Sequence, residues 1–411
     1  MMKRWSTILM CAAVVGVTIG SNAEVAKKPT FFKDVAPIFQ ENCQLCHRTL
    51  GANFGGMVAP MALTTYAEVR PWAKAIAKQV SDKKMPPWSA TPASHGQFRN
   101  ERVLSDDEIA TIVKWVEQGA SRGNPKDAPS PVDFPGENTG WQIGTPDLIV
   151  DMGADYFVED DVEDIYVDFQ TTFTSEQLPK DRWLKSVEFK GGSPAVHHVI
   201  ARPLGGMAPG YDPVNYADGF GAKLKAGTEV NWNMHYHKES GAGTGVWDRT
   251  QAGIVFWPKG AEINHIITTE SLGSFRFSIP AGAADYGDQV KFTFPEDALL
   301  VAFNPHMHLR GKYAKYTAIY PDGKQEVLLD VPEYDFNWQI TYTYAEPKMV
   351  PKGTVIQFDA GWDNSANNTA NPDPTKAVHW GRPTTDEMMF GWMRYTSVAE
   401  RNIIVGQEGT D

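Results

Sequence analysis

The chain has 411 residues, 42% hydrophobic and 11% aromatic, which is ordinary for folded protein, excludes global disorder and allows two to three compact domains. Its formal charge is −12 and no dense Lys/Arg cluster occurs. That excludes an ordinary nucleic-acid partner, because phosphate contacts need such clusters.

The chain opens with MMKRWSTILMCAAVVGVTIGSNA: Lys3 and Arg4, an apolar run, then Ser21-Asn22-Ala23. This is the layout of a secretory signal peptide, residues 1–23, cleaved after Ala23. The run falls short of the ~20 residues that span a bilayer, and Met10 stands before Cys11 where a lipoprotein would carry a small residue. We therefore expect a periplasmic or secreted mature chain with no membrane span. Removing Lys3 and Arg4 takes its charge from −12 to −14.

Of three cysteines, only Cys43 and Cys46 then remain, in Cys43-Gln44-Leu45-Cys46-His47. C-x-x-C-H is the pattern of covalent c-type haem attachment: each thiol adds to a haem vinyl group and the adjacent His47 binds iron. A redox dithiol and half a zinc site are the alternatives, and no further cysteine is left for zinc. Ser105 and Glu108 form a capping box ahead of Ile109, Ile112, Val113 and Val116 on one helical face. A second helix is predicted from about Pro71 to Ser81. Between them, KKMPPW holds Met85 on a stiff loop as the expected sixth iron ligand, with His95 as runner-up. Residues 28–122 resemble a class I cytochrome c, which implies electron transfer.

Residues 123–142, rich in Gly, Pro, Ser and Asn, read as a linker. Beyond them come about a dozen short strand-like runs divided by turn residues and no convincing long helix, the pattern of all-β sandwiches. The expected fold is a small all-α cytochrome c domain followed by two all-β, jelly-roll-like sandwich lobes, at 143–285 and 286–411.

Six of the ten histidines fall in three pairs in this region: His197 and His198, His235 and His237, His306 and His308. Residues two apart on a strand share a face, so such pairs can converge on one ion. Carboxylates do not accompany them as in an iron facial triad, and no thiolate remains for blue copper, so imidazole with a thioether suits copper, with zinc open on ligand type alone. Adjacent His197 and His198 point to opposite faces of an ideal strand and can share an ion only where the strand bulges or twists.

The ordered motifs His197-His198, His235-Tyr236, His306-x-His308 followed by Leu309, Gly311 and Lys312, and Asp386-Glu387-Met388 resemble the copper type II, ascorbate-dependent monooxygenase family. That family includes peptidylglycine α-hydroxylating and dopamine β-monooxygenases, and the likeness runs from about residue 145 to 400. It implies two copper ions: one on His197, His198 and His235, which stores an electron, and an oxygen-binding one on His306, His308 and Met388, the catalytic set. It also implies that the two ions face each other across a solvent-filled gap between lobes. His237 is then an outer partner or an alternative ligand, Met389 and Met307 face away from the site, and His379 is a loop histidine.

Two departures stand out. These lobes have no disulfides, whereas the animal enzymes are rich in them, and a haem domain is fused where the family uses a diffusible reductant. The expected activity is hydroxylation of a C–H bond of a small-molecule or peptide substrate with O2, using one haem c fed by a periplasmic electron donor. Electrons are expected to pass from the haem to the three-histidine copper. A non-catalytic copper or electron carrier and a zinc hydrolase are the rivals.

Overall fold

The computed structural model describes residues 28–49 and 51–406; the signal-peptide reading of residues 1–23 lies outside the described residues. The protein is mostly β-sheet with few helices, and no helix among the described residues is long and apolar enough to cross a membrane.

The helices lie near the beginning of the described chain: Ala36–Asn42, Tyr66–Val69, Ala73–Ser81 and Asp106–Glu117. The predicted capping box is present, with Ser105 accepting from the Glu108 N–H and Glu108 accepting from the Ser105 N–H. Pro71 lies in a short 3-10 turn, Arg70–Trp72, that leads into Ala73–Ser81. Phe31, Val35, Phe39, Val69, Ile112 and Trp115 are packed together and almost fully buried.

The strands form two sandwiches. In the first, a four-stranded sheet is ordered Asp164–Thr172, Glu229–His237, Val196–Arg202, Gly205–Met207. It faces a larger sheet built around Arg182–Lys190 and Gln251–Phe256, with Trp232 of one sheet against Phe189 of the other at 6.1 Å. In the second, the sheet Thr268–Gly273, Phe390–Ser397, Ala298–His306, Tyr342–Val350 faces Tyr286–Thr293, Val355–Trp362, Gly311–Ile319, Gln325–Val331. Phe303 and Tyr316 meet across that core at 4.4 Å.

Two expected boundaries move. Glu262–Ile266 pairs in the first lobe and Thr268–Gly273 in the second, so the changeover lies at residue 267, not 285. Ile403–Ile404 returns to pair with Glu262–Ile266. The span 28–122 also fails to stay with the helices. Ala90 and Phe98 are buried in the core of the second sandwich, with Trp88 packed against it. Tyr342–Val350 is that sheet's edge strand, and an edge leaves backbone groups unpaired. Residues 97–99 cover it: Arg99 N–H donates to the Thr343 carbonyl at 2.9 Å, and Ala345 N–H to the Gln97 carbonyl at 2.8 Å.

Phe98 is 3% exposed and stacks on Tyr344 at 5.1 Å. Phe98→Ala is expected to cost about 3–5 kcal/mol, read by denaturant unfolding. A loss under about 1 kcal/mol, the range of surface substitutions, would mean that the segment merely lies on the lobe.

Candidate metal centre

His235 stands on the strand between Asp164–Thr172 and Val196–Arg202, opposite His198 on one side and Tyr166 on the other. The register shifts between Val196 and His198, so the bulge demanded by two adjacent ligands is present. His197 is the extra residue, and its side chain is turned toward that of His198.

Three Nδ1 atoms converge: His197 to His198 at 3.4 Å and His198 to His235 at 3.1 Å. Bonds of ~2.0–2.1 Å to one ion, at angles of roughly 100–110°, give these separations. His235 is fixed for this task. Its ring lies on Tyr166 at 4.1 Å and 5°, and its Nε2–H donates to Asp164 Oδ2 at 3.1 Å, leaving Nδ1 bare. Burial, then the neighbouring imidazoles, drives the His197 pKa down to about 3 and that of His198 well below its ordinary value. The His197 and His198 rings are therefore neutral at physiological pH, the state a metal ligand needs.

His237 lies outside the cluster of three. It is half-exposed, 3.5 Å from Asp164, whose hydrogen bond raises its pKa. Burial alone would raise the pKa of Asp164, but hydrogen bonds from His235 and His237 hold it far below the ordinary carboxylate range.

His306 ends its strand, and His308 follows just outside it, with the rings 5.4 Å apart and perpendicular. Gln339 donates its Nε2–H to the Phe336 carbonyl at 3.0 Å, which turns its oxygen to accept from His306 Nδ1 at 2.6 Å. His308 Nδ1 donates to the Asp386 carbonyl at 3.2 Å. His308 Nε2 is buried without a partner, an expensive state unless an ion takes the lone pair. Met307 and Met389 are fully buried in the core and Met388 is half-buried, as the alternation predicts.

Glu387 organises this half. Its fully buried carboxylate accepts from the backbone N–H of Arg310 at 2.7 Å, His308 at 2.9 Å and Met388 at 3.3 Å, and from Trp362 Nε1 at 3.1 Å. Burial pushes its pKa up to about 7 against those donors.

The two sets lie close together, not across a solvent-filled gap. The His198 and His306 rings are 6.3 Å apart. Phe336 stacks on His197 at 4.8 Å and meets His308 edge-on at 5.9 Å. Hydrogen bonds across the lobes hold this approach: Thr384 Oγ1 to Asp164 at 2.8 Å, and Tyr211 OH to Asn304 at 2.5 Å.

In the helical part, Cys43 and Cys46 are free thiols on one turn, with His47 N–H donating to the Cys43 carbonyl at 2.9 Å. Burial, then Cys46, pushes the Cys43 pKa up to about 12. His47 Nδ1–H donates to the Met61 carbonyl at 3.1 Å, which leaves the lone pair on Nε2. Met85 is 36% exposed and the His95 side chain 43%, so both candidate sixth ligands lie at the surface.

Asp164, Tyr166, Gln339, Phe336 and Arg310 carried no role in the sequence reading. Only the nearness of Arg310 to His308 and of Glu387 to Met388 hinted at partners. No family model matches the chain, and no curated protein does.

Carboxylates behind ligating imidazoles typically contribute 10–100-fold to metal affinity. Asp164→Asn is expected to weaken metal binding at the three-histidine cluster by about that factor, whereas His237→Ala leaves it nearly unchanged, both read by competitive metal titration. The reverse order would make His237 the third ligand.

Proposed function

We propose that this protein is a copper-dependent monooxygenase of the copper type II, ascorbate-dependent kind, hydroxylating a C–H bond with O2 in the periplasm or outside the cell. Its helical part would be a class I cytochrome c-like module bearing one haem c on Cys43, Cys46 and His47. The observation that carries the reading is the convergence of three histidine Nδ1 atoms on one lobe, together with the orphaned, buried His308 Nε2 on the other. One copper would be held by His197, His198 and His235, the other by His306, His308 and Met388.

Copper, when bound, supplies one-electron redox chemistry toward O2, and haem c supplies electrons singly. The protein's own groups do the rest. Asp164, Gln339 and the Asp386 carbonyl each take the N–H of a ligating ring, fixing its tautomer and aim. The Met388 thioether, a soft neutral ligand, favours the cuprous state. The Phe336 ring, in contact with both His197 and His308, places an apolar side chain against both sets. The overall reaction takes a C–H group, O2, two electrons and two protons to C–OH and water.

The non-catalytic carrier keeps one argument in its favour: His198, His235, His306 and His308 are all buried, which suits electron transfer without a substrate. Oxygen uptake by the reduced, copper-loaded protein separates the two. A monooxygenase consumes O2 in step with hydroxylated product from peptide or amine probes, whereas a carrier shows no substrate-dependent uptake. Two coppers and one haem per chain are expected by metal analysis, against zinc for a hydrolase. His306→Ala is expected to abolish uptake with the haem spectrum intact; retained uptake would remove His306 from the site.

A further inference from the structure

The haem-attachment turn is tied to its neighbours by short hydrogen bonds that lead in one direction. Ala52 N–H donates to the Leu45 carbonyl at 2.8 Å, and two residues on, the Phe54 carbonyl accepts from Gly210 N–H at 2.8 Å. Gly55 packs so closely on Ala208 that any side chain there would collide with its carbonyl. Arg102 lies over the Phe54 ring at 4.2 Å and pairs with Asp212 at 2.5 Å, and Cys46 is near enough to feel both charges. The segment Ala208–Asp212 of the first lobe therefore abuts the turn that carries Cys43, Cys46 and His47.

The other side of this segment reaches His306. Gln339 N–H donates to the Pro209 carbonyl at 2.7 Å, and Gln339 Oε1 accepts from His306 Nδ1 at 2.6 Å. A parallel route runs through Tyr211, whose hydroxyl donates to Asn304 Oδ1 at 2.5 Å. Asn304 precedes His306 by two residues on the same strand face and donates to the Gln339 carbonyl at 3.0 Å. Toward the strand of His197 and His198, the segment after Phe54 offers a packing contact, Gly56 facing the Val196 carbonyl, where a methyl group would lie 3.7 Å from the oxygen. Electron tunnelling falls off less steeply through covalent and hydrogen bonds than across non-bonded gaps.

We propose that Pro209–Tyr211, with Gln339 and Asn304, is the path coupling a haem on Cys43 and Cys46 to the copper on His306, His308 and Met388, so that electrons enter there and not at the three-histidine copper. This rests on the function proposed above and reverses the wiring expected from the family resemblance. Each transfer moves one electron: ferrous haem becomes ferric, a cupric ion becomes cuprous, and no proton moves. Gln339 and Tyr211 are coupling and positioning residues, not catalytic ones.

The test uses the full chain loaded with haem and copper, without oxygen. The haem is reduced by a flash with a soluble photoreductant and its reoxidation is followed by absorbance. We expect His235→Ala to keep the reoxidation rate within about twofold and His306→Ala to lose it. Gln339→Ala is expected to slow the rate tenfold or more and Tyr211→Phe severalfold, with haem spectrum and midpoint potential unchanged in both. Because Tyr211→Phe keeps the ring and removes one hydroxyl, it reports the path even if Gln339→Ala folds poorly. Loss of reoxidation in His235→Ala with retention in His306→Ala overturns the route, as does a wild-type rate in both path variants. Copper at both sites with substrate-dependent O2 uptake but entry at the three-histidine site overturns the route alone, whereas a chain that binds no copper overturns both the route and the function.

Discussion

Imidazole lone pairs that converge in a buried space repel one another unless a donor or a cation lies between them, and the surroundings of these histidines reflect that constraint. A histidine can hold a bare nitrogen steadily toward such a space only if its other nitrogen is anchored as a donor. His235 has Asp164, His306 has Gln339, His308 has the Asp386 carbonyl, and in the helical part His47 has the Met61 carbonyl. These anchors come from four different strands or loops. The distances between elements are thus set in part by what each ring needs behind it.

Glu387 shows the same logic in a carboxylate. Taking an ionised carboxylate out of water costs several kcal/mol even after relaxation. Hydrogen bonds to a charged acceptor return about 1.5–3 kcal/mol each, and Glu387 receives four. The two sides nearly cancel, consistent with a pKa pushed up to about 7 and no further. Three of the donors are the backbone groups of His308, Arg310 and Met388. Holding the turn after the strand and the Met388 loop in one place is what Glu387 does for the site.

The parts of this arrangement legible in the sequence are those governed by strand period. Alternation placed Met307 and Met389 in the core, and the conflict between adjacent His197 and His198 and a common ion required the bulge that the register shift supplies. The helix bearing Ser105 and Glu108 was legible because its cap is local. Contacts distant in sequence were not legible. Nothing local to Phe98 says that it completes the edge of a strand more than 240 residues later, nothing near Phe336 says that it lies between two histidine sets, and Gln339 looks like any loop glutamine. The lobe boundary was misplaced because Thr268–Gly273 pairs with Phe390–Ser397, at the far end of the chain.

Those distant contacts also explain why the lobes stand so close. Tyr211 to Asn304, Thr384 to Asp164 and Gln339 to Pro209 all cross between lobes, and each ends on the hydrogen-bond partner or the strand neighbour of one of these histidines. The lobe interface and the ligand anchors are therefore one hydrogen-bond system. Opening the lobes would release Thr384 from Asp164 and Gln339 from Pro209, loosening the supports of His235 and His306 in the same motion. Closed lobes and firmly supported histidine anchors therefore go together, and the segment that abuts the Cys43–His47 turn contributes two of these bonds, through Tyr211 and the Pro209 carbonyl.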